Sequence, residues 1–117
     1  DLIPAVYRGS WDKAFIARLA PVVLDCAQHD EVAEQIVASQ AQALARTAAA
    51  AVRQMHWSEH LIPTALSGGL FLHSEMYRAR FLEYLRREGV HPEPVTLVEE
   101  PARGAVLLAR QLCTDLA

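Results

Sequence analysis

The chain has 117 residues, of which 52% are apolar and 21% charged, and a formal net charge of −3. That composition excludes an intrinsically disordered chain, and the length allows one sizeable core. With no basic footprint, neither nucleic acid nor an anionic membrane surface is an expected partner.

The first half reads as helical. After the Gly9-Ser10 break, Trp11, Phe15, Ile16, Leu19, Val22, Val23 and Cys26 recur at helical spacing. Pro21 interrupts the pattern, which predicts either a kink or two short helices meeting near Ala20. Asp30 follows as an N-cap. A long helix is expected from Glu31 to Met55, with one stripe through Val32, Ile36, Val37, Gln40, Leu44, Thr47, Ala48, Ala51, Val52 and Met55. Alanine dominates between Ala41 and Ala51, giving helix propensity and a thin cross-section that lets another backbone approach.

The second half changes character. The run from Leu61 to Ser67 reads as a buried strand, and Gly68-Gly69 as a tight turn after it. A helix from Ser74 to Arg87 carries Met76, Tyr77, Phe81, Tyr84 and Leu85, with Gly89 placed as its left-handed C-cap residue. Residues 94–98 form a second short strand, and Pro101 opens a last helix through Ala105, Val106, Leu108, Ala109 and Leu112. Strand, helix, strand, helix predicts a right-handed parallel crossover. Two strands do not make a covered parallel sheet alone, so further strands are expected from outside this sequence. The start at Asp1, without a methionine, points the same way. The expected organisation is one partial α/β, helix-rich domain over 1–117: a helical segment, 1–56, then a βαβα unit, 57–117.

No apolar run reaches the ~18 residues a membrane span requires. No basic segment followed by a continuous apolar stretch opens the chain, so no signal peptide is visible and a cytoplasmic location is expected. Cys26 and Cys113 belong to no C-x-x-C pair and are expected to be buried free thiols of a reducing compartment.

Parallel sheets bind ligands beyond the carboxyl ends of their strands, where Leu66-Ser67-Gly68-Gly69 falls. Paired glycines there let a flat ring or a phosphate approach the main chain, and the following helix offers free amides. Any sharp strand-to-helix turn can use two glycines, so the turn alone leaves both readings open. The wider series narrows them. Thr64-Ala65-Leu66-Ser67-Gly68-Gly69-Leu70-Phe71, then a helix and a strand, is followed by Glu100-Pro101-Ala102-Arg103-Gly104-Ala105-Val106-Leu107-Leu108-Ala109. Upstream lie Val6-Tyr7, the segment from Ile16 to Val23, and Ala27 to Ala33 around Asp30.

In this serial order the chain resembles the C-terminal end of N-acetylglucosamine kinases of the BadF/BadG/BcrA/BcrD-type ATPase family. These lie within the superfamily of sugar kinases, heat-shock ATPases and actin. The resemblance spans essentially the whole chain and implies the C-terminal part of an actin-like ATPase (ribonuclease H-like) domain. It implies a nucleotide-side half of an amino-sugar kinase, with Gly68 and Gly69 as the adenosine glycine pair and Ser67, Leu70 and Leu72 around adenine and ribose. Gly104 is expected to be a packing glycine.

The same resemblance implies ATP and Mg²⁺ as cofactors and an amino sugar as acceptor. The magnesium ligands, catalytic base and phosphate hairpins would lie in an N-terminal lobe outside this chain, which alone would be inactive because phosphoryl transfer needs all of them together. Partners implied are ATP or ADP, the sugar and that lobe; a homodimer is left open by the alanine stripe and the helical first half. No catalytic or metal-binding residue is assigned within the chain. In the benzoyl-CoA-reductase-activating branch, cysteines hold an iron–sulfur cluster; Cys26 and Cys113 have no such spacing.

Two rival readings stand beside this one. His56-Trp57-Ser58-Glu59-His60 matches the inverted zinc-peptidase pattern H-x-x-E-H, whose histidines share a face only on a helix. Leu61-Ile62-Pro63 ends any helix there, so a polar junction with Trp57 tucked against the core is preferred. The second rival is a nucleotide-sensing module without phosphoryl transfer, with the alanine stripe as a partner surface. Arg78, Arg80, Arg86 and Arg87 could face a phosphate, but Glu75, Glu83 and Glu88 among them favour a solvated face.

Overall fold

The computed structural model describes residues 13–116. Val6-Tyr7, the Gly9-Ser10 break and Trp11 lie outside the described residues, as does the side chain of Ile16. The helical half holds α1 (Lys13–Ala17), α2 (Leu19–Cys26) and α3 (Glu31–Gln54). Then come β1 (Leu61–Ser67), α4 (Gly69–His73), α5 (Glu75–Arg87), β2 (His91–Val98) and α6 (Pro101–Asp115). Of the two readings of Pro21, two short helices is the observed one. They meet at Arg18, three residues before the proline, which then occupies the first turn of α2, where its missing N–H costs no hydrogen bond.

Local chemistry sets most boundaries. Asp30 is extended at φ −128°, and its Oδ1 accepts from the amides of Val32 at 2.8 Å and Ala33 at 3.2 Å, satisfying two free donors of α3. Ser74 does the same for α5, its Oγ accepting from the Tyr77 amide at 3.1 Å. Gly89, at φ +88°, closes α5 in a Schellman arrangement in which the Val90 amide donates to Leu85 O at 3.2 Å.

Packing bears out only part of the predicted stripe of α3: Val37 is buried and Ala48 and Val52 pack against the core, but the rest faces outward. The buried face is Ala33, Val37, Ala41, Ala45 and Ala49, whereas Val32, Ile36, Leu44 and Met55 are exposed. The seam is thus displaced by one residue, about a third of a turn. Against the alanines lies α5, bringing Tyr77, Phe81 and Leu85 into one cluster with them. Three bulky side chains on one helix require thin ones on the other. The alanine stripe is therefore consumed within the chain and is not the partner surface suggested by the sequence. Burial pushes the Tyr77 hydroxyl above its ordinary pKa.

The strands β1 and β2 pair in parallel, as the element order requires, with Leu61 opposite His91 and Ser67 opposite Val98. β2 begins three residues earlier than the sequence suggested. The register slips between Ile62 and Thr64, where Glu93 and Pro94 together oppose Pro63. Pro63, Pro92 and Pro94 have no N–H for the ladder, which explains a bulge at that level.

Along β1, Ile62, Thr64 and Leu66 turn inward while Leu61, Pro63, Ala65 and Ser67 are exposed. β2 is exposed from Glu93 to Leu97, and α6 is exposed along its whole length, Val106, Leu107, Leu108 and Leu112 at 52–63%. The described residues thus form an α/β, helix-rich unit whose two-stranded parallel sheet they cover incompletely. Cys26 and Cys113 are free, as expected, but both are exposed, not buried, because the outer side of α2 and all of α6 lack a covering element among the described residues. Gly104 likewise has no atom within 4 Å of where a Cβ would stand, so it is no packing glycine here.

Candidate functional site

At the carboxyl end of β1 the chain turns through Gly68, whose φ of +97° and ψ of 157° lie outside the range of L side chains. Gly69 then opens α4, a helix of only five residues that the periodicity did not reveal. The helix after the glycine pair is therefore one short turn and not the long α5, whose Tyr77 amide donates to Ser74 Oγ. The main chain of α4 is pinned from behind. Arg78 Nη1 donates to Phe71 O at 2.5 Å and to Leu72 O at 3.3 Å, meeting carbonyls left free at the helix end. The Phe71 ring packs on Tyr77 and edge-on to Phe81, with centroids 5.2 and 5.1 Å away.

With Phe71 turned inward, α4 presents Gly69 and Leu70 to a groove of about 780 Å³. Its far wall comes from α2 and the residues beside it, chiefly Ala17, Pro21, Leu24 and Gln28; its floor comes from His73, Ser74 and Met76. The lining is mostly apolar, and the volume falls within the ~300–1,000 Å³ range of small-molecule pockets. Among the described residues Asp25 and Glu75 are the carboxylates that line it, and no arginine or lysine does. An uncharged ring suits such walls better than a polyphosphate does.

Of the five residues singled out in the sequence, Gly69 and Leu70 line this groove. Ser67 and Gly68 are exposed beside it, and Leu72 is half-buried away from it. Sequence reasoning missed the opposite wall entirely, because Pro21, Leu24 and Gln28 face α4 across the groove only through the tertiary fold. Nor do the α5 arginines make one solvated face. Arg80 pairs with Glu34 on α3, Arg87 with Glu83 at 2.6 Å, and Arg78 is bound to α4. Arg53 on α3 reaches Glu88, donating to its carboxylate and its carbonyl, each at 3.0 Å.

The two glycines do different jobs, and a pair of alanine variants separates them. At 68 a Cβ meets nothing within 4 Å, but the backbone is left-handed; at 69 the nearest atom is His73 Cδ2 at 3.9 Å and the backbone is helical. Gly68→Ala is expected to cost about 1–2 kcal/mol. Gly69→Ala is expected to be neutral or slightly stabilising. Urea denaturation of the two variants checks this; similar losses at both positions would show that residue 69 is under the same backbone constraint as 68.

The H-x-x-E-H pattern does not form a helical face. α3 ends at Gln54, His56 turns to φ +50°, and residues 57–60 run irregularly into β1. Trp57 is 44% exposed and not tucked into the core; its Nε1 donates to Leu61 O at 3.3 Å. Among the described residues no group of three or more His, Cys, Asp or Glu side chains could together hold a metal ion. Nor is any described helix long and apolar enough to cross a membrane.

Fold and site together define a helix-rich α/β unit with an apolar groove beside a glycine turn, at the carboxyl end of a parallel strand. Comparison of the chain with protein-family models, curated proteins and solved structures finds no match.

Proposed function

We propose that this chain is the nucleotide-side part of an ATP-dependent amino-sugar kinase of the actin-like superfamily, acting on N-acetylglucosamine or a related hexosamine in the cytoplasm. The observation that carries the reading is Gly69. Neither its backbone conformation nor packing among the described residues demands a glycine there, yet it fronts the groove, where a Cβ would meet only His73 Cδ2 in ordinary contact at 3.9 Å. A purine ring resting on bare main chain gives that glycine a reason. Leu70 would supply an apolar contact beside it, and Gly68 the turn that brings both to the edge of the sheet.

In this reading ATP provides the phosphoryl group, and the chain contributes adenosine binding only. Mg²⁺, the base and the phosphate clamp would come from the N-terminal lobe. The incompletely covered sheet and the exposed α6 support that division, since both surfaces suit a larger body packed on them.

Coupled ADP release from the complete protein, assayed against a panel of hexoses and N-acetylhexosamines, tests the activity. Turnover is expected with an amino sugar, and none on any sugar removes the kinase reading in favour of nucleotide sensing. Gly69→Val in the same protein is expected to weaken ATP binding on the order of tenfold, about 1.4 kcal/mol, and sugar binding much less. Equal losses would make the glycine structural.

A further inference from the structure

One histidine of the H-x-x-E-H segment makes a ring contact. His60, in the last residue before β1, meets not His56 but His91, the first residue of β2, with ring centroids 4.3 Å apart and planes tilted by 39°. The parallel register makes this pair: Leu61 lies opposite His91, so the two imidazoles stand at the same level where both strands begin. His60 is exposed and His91 half-buried, so solvent reaches the pair. Beside it, His56, Glu59 and His60 line a cleft of about 260 Å³, together with Glu88, which Arg53 holds at 3.0 Å.

We infer that His60 and His91 form a two-imidazole clip for a borderline divalent cation, Cu²⁺ or Zn²⁺, at the amino-terminal end of the sheet. Imidazole favours these ions, and Cu²⁺ heads the affinity order for nitrogen ligands. Metal–nitrogen bonds of about 2.0–2.1 Å place two ligating nitrogens on one ion about 3 Å apart. Rings already 4.3 Å apart reach that spacing by rotation about χ2, a broad torsion in histidine. Water fills the remaining positions. A bound ion would join the two ends of the β1–α4–α5–β2 crossover. The site is at the opposite end of the strands from Gly68 and does not depend on the kinase reading.

The probe is CuCl₂ titrated into the complete protein, purified without a histidine tag. One ion is expected per chain, with an electron paramagnetic resonance spectrum showing at least two ligating nitrogens. His60→Ala and His91→Asn are each expected to weaken binding by about tenfold or more, while His56→Ala changes it less than about twofold. The parent is expected to melt higher with Cu²⁺, by an amount that grows with concentration, as for any ligand of the folded state alone. Retained affinity in both single variants overturns the clip. So does loss on His56→Ala alone, or a spectrum with fewer than two nitrogens, which needs no variant to fold.

Discussion

Phe81→Ala is expected to lower the unfolding free energy by about 3 kcal/mol, the low end of the range for removing a buried aromatic. Phe81 is 4% exposed at the middle of α5, between Tyr77 and Leu85 on the same face, and the Phe71 ring meets it edge-on. Its loss would remove the transfer energy of the ring, its contact with Phe71 and the seating of α5 on α3 together. The low end applies because no large side chain among the described residues is fully enclosed, so neighbours can settle into part of the space. Against a total stability of about 5–15 kcal/mol the change should shift the urea midpoint far enough to read directly. An unchanged midpoint would mean that α5 is not the lid of this core. Leu70 should also lose its position, because the inward packing of Phe71 is what turns it toward the groove.

Ala45→Leu is the second large effect, of the opposite kind. Ala41, Ala45 and Ala49 are wholly inaccessible, four residues apart on the side of α3 that receives α5. A leucine there has no room and must push the helices apart, at about 1–3 kcal/mol for overpacking. The control is Ala43→Leu, on an exposed side of the same helix, where nearly equal helix propensities leave stability almost unchanged. Thermal melts of the two variants compare one substitution on two faces. Equal midpoints would sink the alanine seam; a lower midpoint for Ala45→Leu alone would establish it.

The candidate site was legible only in its glycine turn. Gly68 and Gly69 could be picked out because a strand ending in paired glycines is a local pattern. The far wall could not, since Pro21 and Leu24 belong to α2, more than forty residues upstream, with nothing in their own spacing to mark a groove. The placing of Leu72 outside the groove has a related reason. The five-residue α4 turns Leu70 to the groove and Phe71 to the core, and Leu72 follows neither. The H-x-x-E-H pattern misled by suggesting a contact between residues close in sequence. The ring that His60 meets is thirty-one positions away, brought there by strand register.

The sequence by itself determined the elements other than the short α4, and several of their ends: Asp30, Ser74, Gly89 and Pro101 act through hydrogen bonds and backbone angles confined to a few neighbouring residues. It also determined that the two strands run parallel, since a helix joins them. Only the tertiary structure decided which face of α3 is buried. Two apolar stripes were available, one of valine, isoleucine and leucine and one mostly of alanine, and α5 chose between them because its aromatics need a thin partner. The exposure of Cys26 and Cys113 was decided at the same level, because helical periodicity shows that a face is apolar, whereas burial requires another element to cover it.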